Sequence, residues 1–262
     1  MVRDLAAGLS LPFRSLRVEV APEGSLQGKA RDARYEALLG LARSEGATRV
    51  AVGHSQDDQA ETVPDRLLRG ASVRGLAGIE AKRLDGVIRP LIDVRRSDVV
   101  AHLEHHGLEF IEDPSNQDPR FTRVRIRREL LPMLAAEDPA VVSHLAQLAD
   151  DARATRALVH RVGQELLAAA RRPGGLDAAK LAGGDAAARR EALRCFLEEA
   201  MGVAPRRAHL VSVDQLVGGA GSADRGPRGE VRLPHHLVAR LDGKILTISE
   251  RLDSREPTPR EE

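Results

Sequence analysis

The sequence predicts an α/β first half built on an open parallel sheet, followed by a mainly helical second half that ends in a small β sheet. Three observations carry this. β-like runs alternate with helical patterns as far as Pro132, alanine- and leucine-rich helical stretches follow it, and three short β runs close the chain.

Taken in order, Leu16 to Val20 alternates and is valine-rich, Thr48 to Val52 is a second β-like run ending at Gly53, and Val87 to Ile92 is a third. Between the first two, Ala30, Ala33, Ala37, Leu38, Leu41 and Ala42 recur at helical spacing, and Gly46 supplies a stop. That arrangement predicts a βαβ unit with parallel strands and a right-handed crossover. Helices are expected over Gln56 to Arg69 and over Ser97 to His106, the latter ended by Gly107. Ala140 to Ala170 and Ala186 to Ala200 read as long helices separated by the turn-rich Arg171 to Gly184. Gly218 to Gly229 reads as a loop, and Glu230 to Leu233, Leu237 to Leu241 and Lys244 to Ile248 as strands.

Composition narrows the function. The 262 residues are 42% hydrophobic, enough to bury a full core, and no apolar run approaches a membrane span or a signal peptide. A cytoplasmic protein is expected. Net charge is +1 from 40 basic and 39 acidic residues, so any nucleic-acid site has to be local rather than a property of the whole chain. Aromatic content of 2% with no tryptophan argues against a base-stacking platform. The single cysteine, Cys195, excludes an internal disulfide and a cysteine cluster for metal.

The chemistry concentrates at Gly53-His54-Ser55-Gln56-Asp57-Asp58-Gln59-Ala60-Glu61-Thr62, where a strand hands over to a helix, the usual ligand edge of a parallel sheet. His54 and Asp58 are four residues apart, as are Asp57 and Glu61, so a helix gathers ionisable groups near its start. Carboxylates there gain about 0.3 to 1 kcal/mol each from the helix dipole, which explains Asp57 and Asp58 as capping residues; a catalytic or Mg²⁺-binding role suits the same placement. Arg120 to Arg128 holds five arginines and no acid, the one local basic cluster. His102, His105 and His106 lack partners for a metal site, and Gly218 to Ser222 lacks the lysine of a phosphate loop.

Several segments in order resemble the tRNA(Ile)-lysidine synthetase family: Ala30-Arg31 with Arg34-Tyr35, His54 with Asp57 to Thr62, Arg66 to Gly70, Gly75 to Gly78, Arg89 to Leu91, Asp113 to Asn116, and Arg123-Val124-Arg125-Ile126-Arg127. The resemblance implies a PP-loop ATP-pyrophosphatase fold over residues 1–134 and a helical tRNA-recognition domain with a terminal β hairpin over 135–250; the charged, proline-containing stretch 251–262 reads as a disordered tail. It implies a ligase that uses ATP and Mg²⁺ to adenylate the wobble cytidine of tRNA(Ile), with L-lysine then displacing AMP. A homodimer is left open. Implied catalytic residues are His54, Asp57, Asp58, Gln59, Glu61 and Thr62, with Asp57 and Asp58 as candidate Mg²⁺ ligands. Arg31, Arg34, Arg66, Arg69 and Gly70 are the implied phosphate-binding residues, and Arg123, Arg125, Arg127 and Arg128 the implied tRNA contacts. The related tRNA 2-thiocytidine synthetases need a C-x-x-C pair, which one cysteine cannot supply.

The chain departs from the family pattern in three places. The family opens with a strand ending in S-G-G-x-D-S, whose backbone N–H groups cradle phosphate; the 262 residues contain no such segment. The expectation is therefore a sheet without its first strand, and either an inactive tRNA-binding remnant or an active enzyme whose start lies further upstream. Pro64 falls inside the Gln56 to Arg69 helix, where it costs about 3 kcal/mol and is expected to kink the helix after Glu61 and Thr62. Ser55 stands where a second histidine is common.

Overall fold

A computed structural model describes residues 1–19, 26–111, 118–219 and 228–250. The chain divides into two units, Met1–Asp150 and Asp151–Glu262. Among the described residues no helix is long and apolar enough to cross a membrane.

The first unit opens with α1 (Val2–Gly8) and α2 (Leu26–Ser44), followed by β1 (Val50–Ala51), α3 (Gln56–Leu68), α4 (Val73–Leu76), β2 (Val87–Ile88) and α5 (Arg96–His105). β1 and β2 pair in parallel, Val50 opposite Val87 and Ala51 opposite Ile88. The parallel βαβ crossover therefore runs from β1 through α3 and α4 to β2. The expected strand at Leu16 to Val20 does not form: residues 16–19 carry no strand, and Val20 lies outside the described residues. Valine alternation supplies propensity, but a strand is stabilised by its neighbour, and Leu16 and Val18 are exposed here with no described strand to pair with.

α3 runs unbroken from Gln56 to Leu68 with Pro64 inside it, so the proline does not end the helix. The proline removes a bond to the Ala60 carbonyl. Ala60, Val63 and Pro64 are all buried, and tertiary packing of this face holds the helix together where local propensity would not. Ala60 packs with Ile126, Leu131 and Val142, which come from a π-helical segment (Ile126–Leu130) preceded by α6 (Thr122–Arg125), from α7 (Leu131–Glu137) and from the start of α8 (Val141–Ala170).

The division between the units falls within α8. After it come β3 (Arg171–Arg172), β4 (Gly175–Asp177), α9 (Ala178–Ala182), α10 (Ala186–Met201), α11 (Arg207–Gly218), β5 (Arg228–Arg232), β6 (Leu237–Asp242) and β7 (Ile245–Glu250). The five strands form one antiparallel sheet in the order β3-β4-β7-β6-β5. The three closing strands lie where the sequence places them. β3 and β4 sit inside the stretch expected to be only turns, and α9 and α11 were not anticipated. The signal for β4 was a glycine: a Cβ at Gly175 would sit 2.2 Å from the Leu246 carbonyl oxygen, so this strand approaches β7 more closely than a side chain allows. The tail at residues 251–262 lies outside the described residues.

Candidate active site

The site is assembled at the N-terminus of α3, just beyond the carboxyl end of β1. Ser55 caps the helix reciprocally with Asp58: the Ser55 N–H and hydroxyl both donate to Asp58 Oδ2, at 2.8 and 3.0 Å. Asp57 reaches out of α3 to the start of α5, accepting from the Arg96 N–H at 2.6 Å, while the Gln56 N–H donates to the Val94 carbonyl at 2.9 Å. One short segment thus fixes two helix starts.

The second turn carries a buried acid. Glu61 is 1% exposed and receives two guanidinium groups: Arg123 Nε donates to Oε2 at 2.7 Å, Arg127 Nε to Oε1 at 2.5 Å, and Arg127 Nη2 to Oε2 at 3.1 Å. Arg123 is forked, its Nη2 donating to Asp58 Oδ1 at 2.7 Å, and Arg96 Nη2 lies 3.6 Å from the same oxygen. Burial alone would raise the Asp58 carboxyl, but the Ser55 N–H and the Arg123 and Arg96 charges outweigh it and hold it below the usual range. Burial likewise opposes the Arg127 charge, and its bond to Glu61 more than compensates. Half of the expected tRNA-contacting arginines, Arg123 and Arg127, are therefore turned onto the α3 acids. Arg125 donates to the Pro119 carbonyl at 2.7 Å and to Thr122 Oγ1 at 3.2 Å, and Arg128 is exposed.

His54 stands beside Asp58, Arg89, Arg123 and Arg31. Burial pushes its pKa down to about 4, the neighbouring arginines adding to the effect and Asp58 opposing it. The imidazole is neutral at pH 7, and its Nδ1 is buried without a hydrogen-bond partner. Close by, Arg89 is 3% exposed; Nη1 donates to the Glu80 carbonyl at 2.5 Å, Nη2 to the Tyr35 hydroxyl at 3.1 Å, and Nε has no partner. The Tyr35 ring has the Arg83, Arg31 and Arg34 guanidinium carbons 4.9, 5.6 and 5.7 Å from its centroid. Four arginines gather on one buried tyrosine. The resemblance gave a role to Arg31 and Arg34, included Arg89 in the Arg89 to Leu91 segment without a role, and did not include Arg83.

Other implied residues have their polar groups engaged in the fold. Gln59 is 2% exposed, and its amide donates to the Ile79 carbonyl at 3.2 Å and accepts from the Ile79 N–H at 2.6 Å. Arg66 Nη1 donates to the Gly75 and Gly78 carbonyls at 2.7 and 2.8 Å. Gly78 has φ +62°, and a Cβ there would meet Gln59 Oε1 at 2.4 Å. The R-L-L-R-G and G-L-A-G segments are thus a device that binds one loop to α3. Thr62 Oγ1 donates to the Asp58 carbonyl at 2.7 Å, Arg69 pairs with Asp65 at 2.9 Å on the surface, and Gly70 adopts φ +75° just past the helix end. The Asp113 to Asn116 turn lies outside the described residues.

Mg²⁺ does not fit Asp57 and Asp58 as arranged. Asp58 gives one oxygen to Ser55 and the other to Arg123, and Asp57 gives Oδ2 to the Arg96 N–H, so both Asp58 oxygens and one of Asp57 are already taken by donors.

Residues 1–134 match the family model described as a PP-loop domain, and residues 176–246 match the TilS substrate binding domain. The tRNA(Ile)-lysidine synthase of Salinispora tropica is 38% identical over 253 residues, which cover 93% of this chain and 74% of that protein. That of Leifsonia xyli subsp. xyli is 35% identical over 258 residues, covering 92% and 75%. That of Pseudomonas aeruginosa is 44% identical over 172 residues, covering 64% of this chain but 38% of that longer protein. The chain thus spans less than half of some relatives and about three-quarters of others. With a PP-loop match over residues 1–134 and two relatives followed almost end to end of this chain, the chain belongs to the tRNA(Ile)-lysidine synthase family.

Proposed function

We propose that this protein takes part in making lysidine: ATP adenylates the wobble cytidine of the CAU-anticodon tRNA(Ile), and L-lysine displaces AMP. In the first step the cytidine O2 attacks the α-phosphorus and pyrophosphate leaves. In the second the lysine ε-nitrogen bonds to C2, the C2–O bond breaks, and AMP leaves as the amine gives up its protons. One observation carries the reading: Arg123, more than 60 residues further along the chain, reaches the Asp58 and Glu61 carboxylates at the helix start beside His54.

Each group has chemistry to offer there. Arg31, Arg34 and Arg89 line a cationic wall suited to phosphate charge that grows as pyrophosphate or AMP departs. His54 is neutral, so its imidazole can accept a hydrogen bond from the incoming amine. Asp58 and Glu61 hold Arg123 at a fixed position between them, and Arg127 fixes Glu61 in turn. The substrates in this reading are ATP, L-lysine and tRNA(Ile), met in the cytoplasm.

The test is mass spectrometry of nucleosides from tRNA(Ile) incubated with ATP and lysine. One arm uses the 262-residue chain, the other the same chain preceded by a strand and S-G-G-x-D-S loop of the family pattern. Lysidine is expected in the second arm and lost there in Arg123→Ala. Absence of lysidine in the extended chain would overturn the proposal in favour of a tRNA-binding remnant, and lysidine in the first arm would show the loop to be dispensable.

A further inference from the structure

We infer that His160, Glu191 and Cys195 form a Zn²⁺ site in the second unit, apart from the α3 site. His160 lies on α8, while Glu191 and Cys195 lie one turn apart on α10 and so share a face. Their donor atoms converge. His160 Nδ1 is 2.8 Å from Glu191 Oε1, Cys195 Sγ is 3.8 Å from that oxygen, and Sγ is 4.0 Å from Nδ1. Nitrogen, oxygen and sulfur ligands on a tetrahedral Zn²⁺ stand about 3.4 to 3.6 Å apart, given bonds of about 2.0 to 2.3 Å. The three atoms reach that spacing with shifts of about half an ångström.

The backbone is arranged to make this contact. A Cβ at Gly163, one turn beyond His160, would come within 2.7 Å of Glu191 Cβ and Cγ, so the absence of a side chain there is what lets α8 lie against α10 at this level. Glu191 is 7% exposed, whereas the His160 side chain is 49% exposed, which leaves a path for an ion and a water as fourth ligand.

The obvious rival is a nucleophile relay, with Glu191 orienting His160 to activate Cys195. The geometry argues against it. In a relay the imidazole uses one ring nitrogen for the acid and the other for the nucleophile. Here both Glu191 and Cys195 face Nδ1, which cannot serve both at once but can share a metal ion with them. The mixture of thiolate, imidazole and carboxylate also suits Zn²⁺ better than Mg²⁺ or Ca²⁺, which take oxygen ligands.

Arg194 completes the local electrostatics. Its Nε donates to Glu191 Oε2 at 2.9 Å, its Nη2 to Oε1 at 2.7 Å, and Nη2 lies 3.0 Å from Cys195 Sγ; a further bond runs to Glu198. Its charge balances that of the acid beside the cysteine. When the ion enters, Nη2 leaves Oε1 while Nε keeps Oε2, so the ligating carboxylate retains an outer hydrogen bond, as metal-bound carboxylates commonly do. On binding, the Cys195 thiol releases its proton to water, and the thiolate and carboxylate against one guanidinium then leave net negative charge for the dication. The ion would staple α8 to α10.

The experiment uses the full 262-residue chain, reduced and free of any histidine tag, with Zn²⁺ titrated against a chromophoric chelator. One equivalent is expected to bind. Cys195→Ser and His160→Ala should each weaken it by about tenfold or more while circular dichroism stays unchanged. Co²⁺ should give a thiolate charge-transfer band, which has to come from Cys195 because the chain has no other cysteine. A triple His102→Ala, His105→Ala, His106→Ala variant keeps that band if the inference holds. Failure of the chain to compete with the chelator, or one-equivalent binding undiminished in Cys195→Ser, would overturn it.

Discussion

The two units are held together by different means. Among the described residues, the apolar core of the second unit joins fourteen buried side chains, including Leu167, Leu193, Leu197, Val213, Leu241 and Leu246, from its helices and its sheet. The corresponding cluster in the first unit contains Ala60, Ile126, Leu131 and Val142. The first unit relies more heavily on directed polar contacts: Glu61 with Arg123 and Arg127, Gln59 with Ile79, Arg66 with Gly75 and Gly78, and Arg89 with Tyr35. Under the proposed function, the difference follows from use. A region that has to present charge to a substrate keeps polar side chains inside, and those are tolerable only when each is paired.

Deleting one group from each unit should expose the contrast. Leu193→Ala, at a fully buried position, is expected to cost about 4 kcal/mol as a cavity opens in a core with little room to collapse. Glu61→Gln keeps the volume and removes one charge, yet is expected to cost about 3 kcal/mol, because Arg127 loses its charged partner and Arg123 keeps only Asp58. Arg123 and Arg127 are 38% and 28% exposed, so water relieves part of that penalty. Urea denaturation of both variants decides the matter: a Glu61→Gln cost under about 1 kcal/mol would mean the first unit does not depend on this pairing.

A smaller effect probes the same unit at a neutral contact. Gly78→Ala is expected to lose about 2 kcal/mol, from a left-handed backbone and from displacing the Gln59 amide. Combined with Gln59→Ala the losses should fall well short of additive, since the clash and the lost hydrogen bonds share one cause. Additive losses in thermal unfolding would separate the two residues.

How far the sequence could be read also differs between the units. The closing strands were legible because alternation and turn glycines report local geometry, and Gly243, at φ +62°, does mark the β6–β7 turn. α3 and its cap were legible from Ser55, Asp58 and the strand before them. The Leu16 to Val20 strand was misread because alternation reports propensity and says nothing about a partner. Pro64 carries a legible local cost, but the packing around Ala60 and Val63 that lets the helix run on past it is not written in local propensity. In the site, motif positions fixed which residues matter but not what they touch: Gln59 and Arg66 serve the Gly75 to Gly78 loop, and Arg123 and Arg127 face the α3 acids. Those contacts join positions 20, 62 and 66 residues apart at their widest, and no local period encodes them.

The second unit carries its own strain, at the β5–β6 turn. His235 and His236 both have positive φ, at 58° and 57°, in the four-residue connection Leu233 to His236, a conformation that asparagine and glycine adopt more readily. Replacing the pair, His235→Asn with His236→Gly, is expected to stabilise the protein by about 1.5 kcal/mol without touching the core. No gain in melting temperature would show that the turn is paid for by contacts of the two imidazoles.

The smallest expected effect concerns His54 and returns to the first unit. Its pKa falls from an ordinary 6.5 to about 4 on folding, so between those values the unfolded chain binds a proton that the folded chain does not. By linkage, the stability associated with the neutral imidazole is complete above pH 6.5 and is lost as the pH falls toward 4. The side chain is only partly buried, so solvent screening reduces the change to about 1 kcal/mol. Asp58, whose carboxyl is held below its usual range, titrates beneath this window and does not mask it. Urea unfolding from pH 7 down to 4.5 should therefore show a decline that is shallower in His54→Gln. Parallel curves for the two proteins would place the imidazole in water, and with it would go the reason for treating His54 as a neutral acceptor facing the substrate.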